Sequence, residues 1–512
     1  MDEASMANGH EIELKLVASP QMLAQLRAMD VLRAEGRQKH FSTAYYDTAD
    51  RRLAAAHLAL RVRNDGTACE ITLKRAATGK AVSRAEWNAP LDGAELDLGA
   101  LPPEAARLVI KAAKGADLAP IFSLAIDREV RTVAFGRSRI ELAFDQGTVS
   151  AGAQTQPVCE LELELVSGSL RDLLGLARAL PLGPDLYWST TSKSAAGYRL
   201  ADGIAPVAVK ARPVRLPVNV GTRAALRHLV WASIGQCLAN ADAVTRASLP
   251  EGLHQMRVAL RRLRAALRLA HEMLGDANAP ILDAEWDAAL GLLGTARDLD
   301  VILDRLGKGK KGTRTQADVR TALEQERVQA YAAVVQFVHS AAFQQLLVGT
   351  VQWAEGLGAP RPEDAPLGQA SRALLKVWRR KLRRRSAQLG DASPDARHRV
   401  RIGLKRLRYA TEFFTSVARD PARKALDRLR LDRLAEAQAH LGDLNDLDVG
   451  AALGARLTGD PLHRAAIVEA LEAAAHARRR DVPKLVAKAQ AAVDVALAKR
   501  RDIDLRGSAK QR

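Results

Sequence analysis

The sequence contains few cysteines and few aromatic residues, and each shortage excludes a class of protein. Its three cysteines, Cys69, Cys159 and Cys237, lie far apart, are odd in number and lack metal-ligand spacing. They therefore predict reduced structural thiols and exclude a disulfide framework. Aromatic residues make up 4% of the chain, which argues against a function that depends on stacking nucleic-acid bases.

Long apolar runs and nucleotide-binding loops are also missing. No run of about 18 apolar residues occurs, so we expect no membrane-spanning helix. The first residues include Asp2 and Glu3 and lack an apolar segment, so we expect no secretory signal. A glycine-rich phosphate loop of the Walker type is absent from the sequence. Together with reduced thiols, these absences predict a cytoplasmic protein.

Positive charge is abundant but unevenly distributed. The formal net charge is +18. Residues 1–205 carry 24 basic and 26 acidic side chains, whereas residues 206–512 carry 53 and 33. The C-terminal part therefore favours a polyanionic partner, which could be nucleic acid, an anionic membrane or polyphosphate.

Hydrophobic periodicity divides the chain into two modules. Up to about residue 200, charged and apolar residues alternate, as in Glu11–Leu16 and Glu160–Leu165, which predicts half-buried strands. Short predicted helices interrupt these strands at about 20–33, 101–115 and 169–180, and hairpin turns are predicted at Asn64-Asp65-Gly66 and Asp145-Gln146-Gly147. A proline-containing linker is predicted at 204–218, and long amphipathic helices rich in Ala, Leu and Arg follow from 219.

The helical module contains an internal repeat. The segment that begins at His254 and Arg257 is repeated at His398 and Arg401, and a later Asp-Leu-Asp-Val segment also occurs twice, at 298–301 and 446–449. Two landmarks that recur in the same order predict a duplicated helical unit, with repeats at about 219–356 and 367–505.

The predicted strands share a face that is charged at nearly every position. Residues two apart on a strand point the same way, and this face carries Glu11, Glu13, Lys15, Arg61, Arg63, Glu70, Lys74, Arg84, Glu86, Glu141, Asp145, Glu160, Glu162 and Glu164. An ordinary sheet with one solvent-exposed face is the alternative, but such a face usually includes Thr, Ser and Gln. The pattern favours a closed barrel with a polar lumen.

Charges of both signs in one lumen suit a metal–polyphosphate ligand. Arginine and lysine bind phosphate oxygens, and arginine does so in a bidentate manner. Carboxylates bind Mg²⁺ or Mn²⁺, which bridge phosphates in turn. Such a lumen can stabilise the charge that develops during phosphoryl transfer.

The ordered motifs of the first module resemble the CYTH, or triphosphate tunnel metalloenzyme, superfamily. Glu11-x-Glu13-x-Lys15 resembles its ExExK signature, and the segments that follow in order are 46–48, 60–63, 72–74, 84–86, 141–145, 160–164 and 193–199. The resemblance covers residues 9–203. It implies an eight-stranded antiparallel β-barrel with flanking helices, a tunnel, and hydrolysis or cyclisation at a triphosphate.

The resemblance also implies roles for individual residues. The implied catalytic residues are Lys15, Arg61, Arg63, Lys74, Glu86 and Arg128, the metal ligands are Glu11, Glu13, Asp145, Glu162 and Glu164, and the phosphate-binding residues are Arg84, Arg139 and Lys193. The implied cofactor is Mg²⁺ or Mn²⁺. For Glu86 and Arg139, a salt bridge between neighbouring strands remains the alternative.

The second module resembles the CHAD, or conserved-histidine α-helical, domain over residues 219–505. The two histidine-containing helices each place a cationic stripe beside an apolar one. The resemblance implies binding of inorganic polyphosphate, and the matching residues are His254, Arg257, Arg261, Arg264, His398, Arg401, Lys405 and Arg408. A solvated charged face is the alternative for the arginines, and helix packing is the alternative for the histidines.

The sequence therefore predicts a multidomain α+β then all-α protein. Its expected function is metal-dependent hydrolysis of inorganic triphosphate, together with polyphosphate binding and no sequence-specific nucleic-acid binding. A non-catalytic polyphosphate-binding protein is one alternative, and an adenylate cyclase or thiamine triphosphatase on the same barrel is another. We expect a cytoplasmic location, with association with polyphosphate granules as a further possibility.

Overall fold

The computed structural model describes residues 10–75, 83–214, 216–217, 220–307, 314–357, 367–387, 394–415, 431–442, 479–488 and 491. The strands are β1 (His10–Ala18), β2 (Arg37–Asp47), β3 (Leu58–Asn64), β4 (Cys69–Arg75), β5 (Ser83–Leu91), β6 (Ala119–Phe135), β7 (Ser138–Ala151), β8 (Gln154–Ser167) and β9 (Leu186–Trp188). The helices among them are α1 (Pro20–Ala28), α2 (Arg52–Ala55), α3 (Pro103–Ala113), α4 (Leu170–Ala179) and α5 (Lys193–Asp202).

The strands form one antiparallel sheet that closes on itself. The strand order is β5-β4-β3-β2-β6-β7-β8-β1-β9, and an additional pairing of β5 with β1 joins the two sides. The described sheet has nine strands, so the prediction of eight is wrong in number. Eight strands make the ring, and the three-residue β9 pairs with the end of β1. A segment this short is below the length at which alternation can be recognised.

Apolar side chains on the outer face of the barrel are covered by the short helices, as the alternation predicts. Leu14, Leu16 and Leu163 are fully buried on this face. Helices α1 and α4 pack against β8, while α3 covers the cluster on β3, β4 and β5. Each fully buried leucine stabilises the fold by about 2 kcal/mol, and the charged residues are left to the inside.

One predicted hairpin turn is wrong. The sequence Asp145-Gln-Gly147 suggests a turn, but it lies within β7, and the hairpin between β6 and β7 instead turns at Gly136, where φ is +62°. A Cβ on Gly147 would lie 2.0 Å from the carbonyl oxygen of Ala125. This glycine therefore permits close strand contact. The turn predicted at Asn64-Asp-Gly66 is confirmed, because these residues join β3 to β4.

Helix α5 packs into one end of the barrel. Phe122 stacks on Tyr45 with ring centroids 4.6 Å apart, and Tyr198 of α5 meets Phe122 edge to face at 5.1 Å. Gly197 allows this approach, because a Cβ at that position would lie 2.1 Å from the Phe122 ring. The first residue of α5, Lys193, is thereby carried to the lumen.

The C-terminal region is helical wherever the structure describes it. Its helices are α6 (Thr222–Ala239), α7 (Ala241–Thr245), α8 (Pro250–Leu274), α9 (Ala279–Leu292), α10 (Gly294–Gly307), α11 (Arg314–Val338), α12 (Ala341–Gly356), α13 (Leu367–Ala387) and α14 (Pro394–Thr415), and residues 431–442 and 482–488 are also helical. The second Asp-Leu-Asp-Val segment, at 446–449, belongs to residues 443–478, which lie outside the described residues. The duplication therefore stays a prediction.

The chain forms two compact units. The first comprises Met1–Lys210, Val230–Ala259 and Val335–Leu357, and the second comprises Ala211–Leu229, Leu260–Val334 and Gly358–Arg512. The first unit therefore contains helical segments in addition to the barrel. The core of the second includes Val400, Leu404 and Leu407 of α14.

None of the described helices is by itself long and apolar enough to cross a membrane. The bent pair Arg320–Val338 and Ala341–Gly356 reaches the required length and apolar composition when the two helices are taken together.

Candidate active site

The lumen of the barrel has two walls of opposite charge. The acidic wall consists of Glu13 on β1, Glu141 and Asp145 on β7, and Glu160, Glu162 and Glu164 on β8. The basic wall consists of Arg61 and Arg63 on β3 and Lys74 on β4. In the ring of strands, β2, β6 and β7 separate β3 from β8 on one side, and β4, β5 and β1 separate them on the other, so β3 and β8 lie on opposite sides of the barrel. The two walls therefore face each other across the lumen.

Three carboxylates of the acidic wall form a single row. Glu164 is directly opposite Glu13 on one side and directly opposite Glu141 on the other. Like charges in such positions repel each other. Burial and the carboxylates of Glu141 and Glu13 raise the pKa of Glu164 from its usual 4.5 to about 7. The row is thus a place where a cation would be strongly favoured.

The other three carboxylates already contact basic side chains. Lys193 Nζ lies 2.7 Å from Asp145 and 2.8 Å from Glu162, and it also contacts Glu160. Arg128 donates to both oxygens of Asp145, at 2.6 and 2.5 Å, and to Glu162 at 2.7 Å. Burial opposes ionisation of Glu162, but Lys193 and Arg128 hold its pKa well below its usual range.

The basic wall is packed against aromatic rings. The guanidinium of Arg63 lies 4.4 Å from the ring centroid of Phe41. Burial and the charges of Arg61 and Arg128 lower the pKa of Arg63 to about 10. Within the described residues, the buried Nε atoms of Arg61 and Arg63 have no hydrogen-bond acceptor. This wall can therefore donate hydrogen bonds to anionic oxygens.

Tyr45 and Phe41 are lumen residues that the sequence analysis missed. Tyr45 is directly opposite Arg61 and is hydrogen bonded to it. Burial alone would raise the pKa of Tyr45, but the charges of Arg61 and Lys74 outweigh it and lower the pKa. The signal was available, because Phe41, Thr43 and Tyr45 occupy alternate positions of β2, but uncharged side chains do not stand out in a charge pattern.

A divalent cation fits the carboxylate row better than the other group. Asp145, Glu160 and Glu162 offer oxygens within 4.8 Å of one another, but the ammonium of Lys193 lies among them. In the row, burial together with the charges of Glu141 and Glu13 disfavours ionisation of Glu164, and a bound cation would relieve this. Carboxylate oxygens are the ligands that Mg²⁺ and Mn²⁺ prefer. Glu13, Glu141 and Glu164 are therefore the residues that would hold such an ion.

The structure brings most of the predicted site residues into the lumen. Lys15 is buried and lies 3.6 Å from Glu160, and Lys74 and Arg61 both pair with Glu86. Arg84 is directly opposite Glu11 in the strand register, but the side chains of both lie outside what the structure describes. Arg139 differs from the rest, because it is exposed beside a register shift at the start of β7.

The predicted polyphosphate residues occupy helices α8 and α14. Arg264 pairs with Asp283 at 2.7 Å and also with Asp287, so its charge is compensated by α9. Arg261 is half-buried, and its buried Nε lacks an acceptor within the described residues. The others, His254, Arg257, Arg401, Lys405 and Arg408, are half-buried, and the side chain of His398 lies outside what the structure describes.

The structure describes the first of the two Asp-Leu-Asp-Val segments of the helical region. Asp300 is buried and accepts hydrogen bonds from Arg327 Nε at 2.7 Å and from the Tyr331 hydroxyl at 2.8 Å. This agrees with a salt bridge that restrains an arginine and not with a metal cluster. Asp446 and Asp448 lie outside the described residues.

Residues 9–198 match the CYTH domain and residues 228–455 match the CHAD domain. The chain therefore combines a CYTH domain with a CHAD domain, as the resemblances implied.

Similar proteins were found for each part. An inorganic triphosphatase of Haemophilus influenzae is 38% identical over 201 residues, which are 37% of this chain and 54% of the relative, so the chain spans about half the relative's length. A CHAD domain structure from the plant Ricinus communis is 25% identical, with a TM-score of 0.48. The match covers 56% of this chain and 96% of the Ricinus communis chain. A Hippeastrum structure, described as a putative adenylyl cyclase with a dominant triphosphatase activity, is 21% identical, with a TM-score of 0.29. The match covers 37% of this chain and 95% of the Hippeastrum chain.

Proposed function

We propose that the barrel hydrolyses inorganic triphosphate with a divalent metal ion. The observation that carries this proposal is the pair of opposed walls. A carboxylate row in which the pKa of Glu164 is raised faces an arginine pair in which the pKa of Arg63 is lowered. A bound metal ion would supply positive charge to the carboxylate row, and triphosphate oxygens would supply acceptors to the buried Nε atoms of Arg61 and Arg63.

The side chains of the chain have distinct tasks in this reaction. Arg61 and Arg63 bind and orient the phosphate oxygens, and Phe41 restricts the rotation of Arg63. Glu13, Glu141 and Glu164 hold the metal ion, which would act as a Lewis acid on the phosphate oxygens. Arg61 donates a hydrogen bond to the Tyr45 hydroxyl, and this bond keeps the guanidinium in place. These preorganised charges lower the barrier because they need no rearrangement as charge develops.

Inorganic triphosphate fits this lumen better than a nucleotide does. Both walls are charged, and among the residues that the structure describes the ring packed on the basic wall is Phe41, which the guanidinium of Arg63 covers, so this ring is not an open platform for a base. The relative from Haemophilus influenzae, which matches the barrel part, is named an inorganic triphosphatase. These two points support the choice of substrate.

A substrate panel tests the proposal. Phosphate release is measured with tripolyphosphate, ATP, thiamine triphosphate and long-chain polyphosphate, each with Mg²⁺, with Mn²⁺ and with a chelator. We expect metal-dependent release with the highest kcat/KM for tripolyphosphate. The variants Glu13→Gln and Glu164→Gln should remain folded and lose this activity. A preference for ATP with pyrophosphate as product would favour a cyclase, and an absence of release from every compound would overturn the proposal.

We also propose that the second compact unit binds inorganic polyphosphate. Arg385 of α13 and Arg406 of α14 lie near Arg268 of α8, which itself pairs with Asp283 of α9 at 2.8 Å, and burial together with the charges of Arg268 and Arg385 lowers the pKa of Arg406. Such a cluster favours a flexible polyanion, which needs no base recognition. The relevant charges are thus fewer than the sequence suggests, since Arg264 is compensated by α9.

The polyphosphate proposal is tested by charge reversal in the full chain. We expect Arg261→Glu with Arg406→Glu to weaken binding of long polyphosphate more than Lys111→Glu with Lys114→Glu, which changes two exposed lysines of the N-terminal part. Both variants alter the net charge equally. An equal loss of affinity at the same ionic strength would mean that binding is diffuse electrostatics.

A further inference from the structure

The lysine that reaches the acidic wall lies in a segment that is fixed to the barrel. Trp188 of β9 is directly opposite Leu16 of β1, and the amide of Ser189 donates to the carbonyl of Lys15 at 3.0 Å. Ser192 then caps α5 by accepting from the amide of Ala195 at 3.1 Å. Lys193 follows this cap and places its ammonium among the carboxylates.

The same segment is also held from the side of the helices. The hydroxyl of Thr191 donates to Asp242 Oδ2 at 2.8 Å, and Arg199 donates to the same oxygen at 2.9 Å. Asp242 belongs to α7, which is in the same compact unit as the barrel. Thr191 precedes Lys193 and Arg199 follows it, so one carboxylate binds side chains on both sides of the lysine.

A second contact from the helical side acts on β9 itself. The amide of Trp188 donates to the side-chain oxygen of Gln344 in α12 at 2.9 Å, and the ring of Tyr187 stacks on His339 at 4.2 Å. Residues from outside the barrel therefore contact this segment at Tyr187, Trp188 and Thr191. Asp242 contributes the charged part of this support.

We propose that Asp242 is a positioning residue for Lys193, so that helical residues outside the barrel determine the arrangement of its acidic wall. Lysine has a long flexible side chain and acts as a point charge, so the direction of its ammonium depends on how firmly its backbone is held. The ammonium neutralises part of the charge of Asp145, Glu160 and Glu162. Displacing it changes the field that a bound triphosphate experiences. The catalytic consequence rests on the proposed function, whereas the positioning itself does not.

The test uses the full chain and two kinds of readout. The first is the rate at which Lys193 is acetylated in the ligand-free protein, followed by mass spectrometry, with the buried lumen lysine Lys15 as the internal reference. The second is kcat/KM for tripolyphosphate with Mg²⁺. The variants are Asp242→Ala, Asp242→Asn and Thr191→Val. Gln352→Ala is the matched control, because Gln352 joins α12 to Arg178 of α4 and does not touch the loop.

We expect Asp242→Ala to speed acetylation of Lys193 several-fold while leaving Lys15 unchanged, and to lower kcat/KM by roughly tenfold to a hundredfold. Thr191→Val should act in the same direction, Asp242→Asn should act more weakly, and Gln352→Ala should resemble the unaltered chain. The loss from Asp242→Ala should disappear in a Lys193→Met background, because the two residues act through one ammonium.

Three outcomes would overturn or separate the claims. Unchanged acetylation of Lys193 in both Asp242→Ala and Thr191→Val would overturn the positioning role. Equal loss of activity with and without Lys193 would show that Asp242 acts through general stability. If the unaltered chain releases no phosphate, the proposed function fails, and the acetylation rates still decide whether Asp242 positions the lysine.

Discussion

Replacing Glu164 by glutamine should change how the stability of the metal-free protein depends on pH. The substitution keeps the shape of the side chain and removes its charge. In the folded protein the pKa of Glu164 is about 7, compared with its usual 4.5. The folded state therefore retains this proton longer than the unfolded chain does. The stabilisation that the proton provides is complete below pH 4.5 and is lost as the pH rises through about 7.

The size of the effect follows from these two values. A difference between 4.5 and about 7 corresponds to roughly 3 kcal/mol at ~1.36 kcal/mol per pH unit. Glu164 is only half-buried, and solvent screening reduces this to about 2 kcal/mol. For a domain of this size, such a change shifts the melting temperature by roughly 4–8 °C.

Calorimetry with a chelator at about pH 5 and about pH 8 measures this shift. The melting temperature of the unaltered chain should fall between the two conditions by several degrees more than that of Glu164→Gln. The control is Glu95→Gln, which alters an exposed glutamate in the loop after β5 and should leave the profile unchanged. Excess Mg²⁺ should raise the melting temperature more at the higher pH. Parallel profiles for the unaltered chain and Glu164→Gln would refute the reasoning.

Further predictions concern the metal, the basic wall and the barrel backbone. Ca²⁺ should bind but support little turnover, because it prefers longer bonds and more ligands than Mg²⁺; equal rates with the two ions would contradict this. Arg63→Lys should lower kcat/KM by roughly tenfold to a hundredfold, because lysine offers neither the bidentate contact nor the stacking on Phe41; unchanged kinetics would remove Arg63 from the site. Gly147→Ala should destabilise the barrel by about 2–3 kcal/mol, because the new Cβ would clash with the carbonyl of Ala125. Gly93→Ala, which meets no atom within 4 Å, is its neutral control in the same denaturation experiment.

Alternation along the sequence was sufficient to predict several strands that share a charged face, whereas the number of strands in the barrel came from the family resemblance. A strand has a period of two, so Glu160, Glu162 and Glu164 had to share one face. The pairing of strands is not local, and the row formed by Glu13, Glu164 and Glu141 could be seen only once the register was known. The raised pKa of Glu164 arises from that register and has no signal in the sequence.

Side-chain partners from distant segments account for most of what the sequence did not predict. Lys193 follows a short strand that alternation cannot detect, and its neighbours Asp145 and Glu162 come from two other strands. In the helical region, Arg264 lies on the predicted cationic stripe, but Asp283 of α9 compensates its charge. A helix pattern describes one helix at a time, so it cannot show which charges another helix neutralises.

The most direct test of the central claim is ³¹P NMR of tripolyphosphate incubated with the full chain and Mg²⁺. We expect tripolyphosphate to be converted to equal amounts of pyrophosphate and orthophosphate, a chelator to stop the reaction, and Glu164→Gln to leave the substrate intact. Tripolyphosphate that stays intact with the unaltered chain, or products that form equally fast with the chelator, would contradict it.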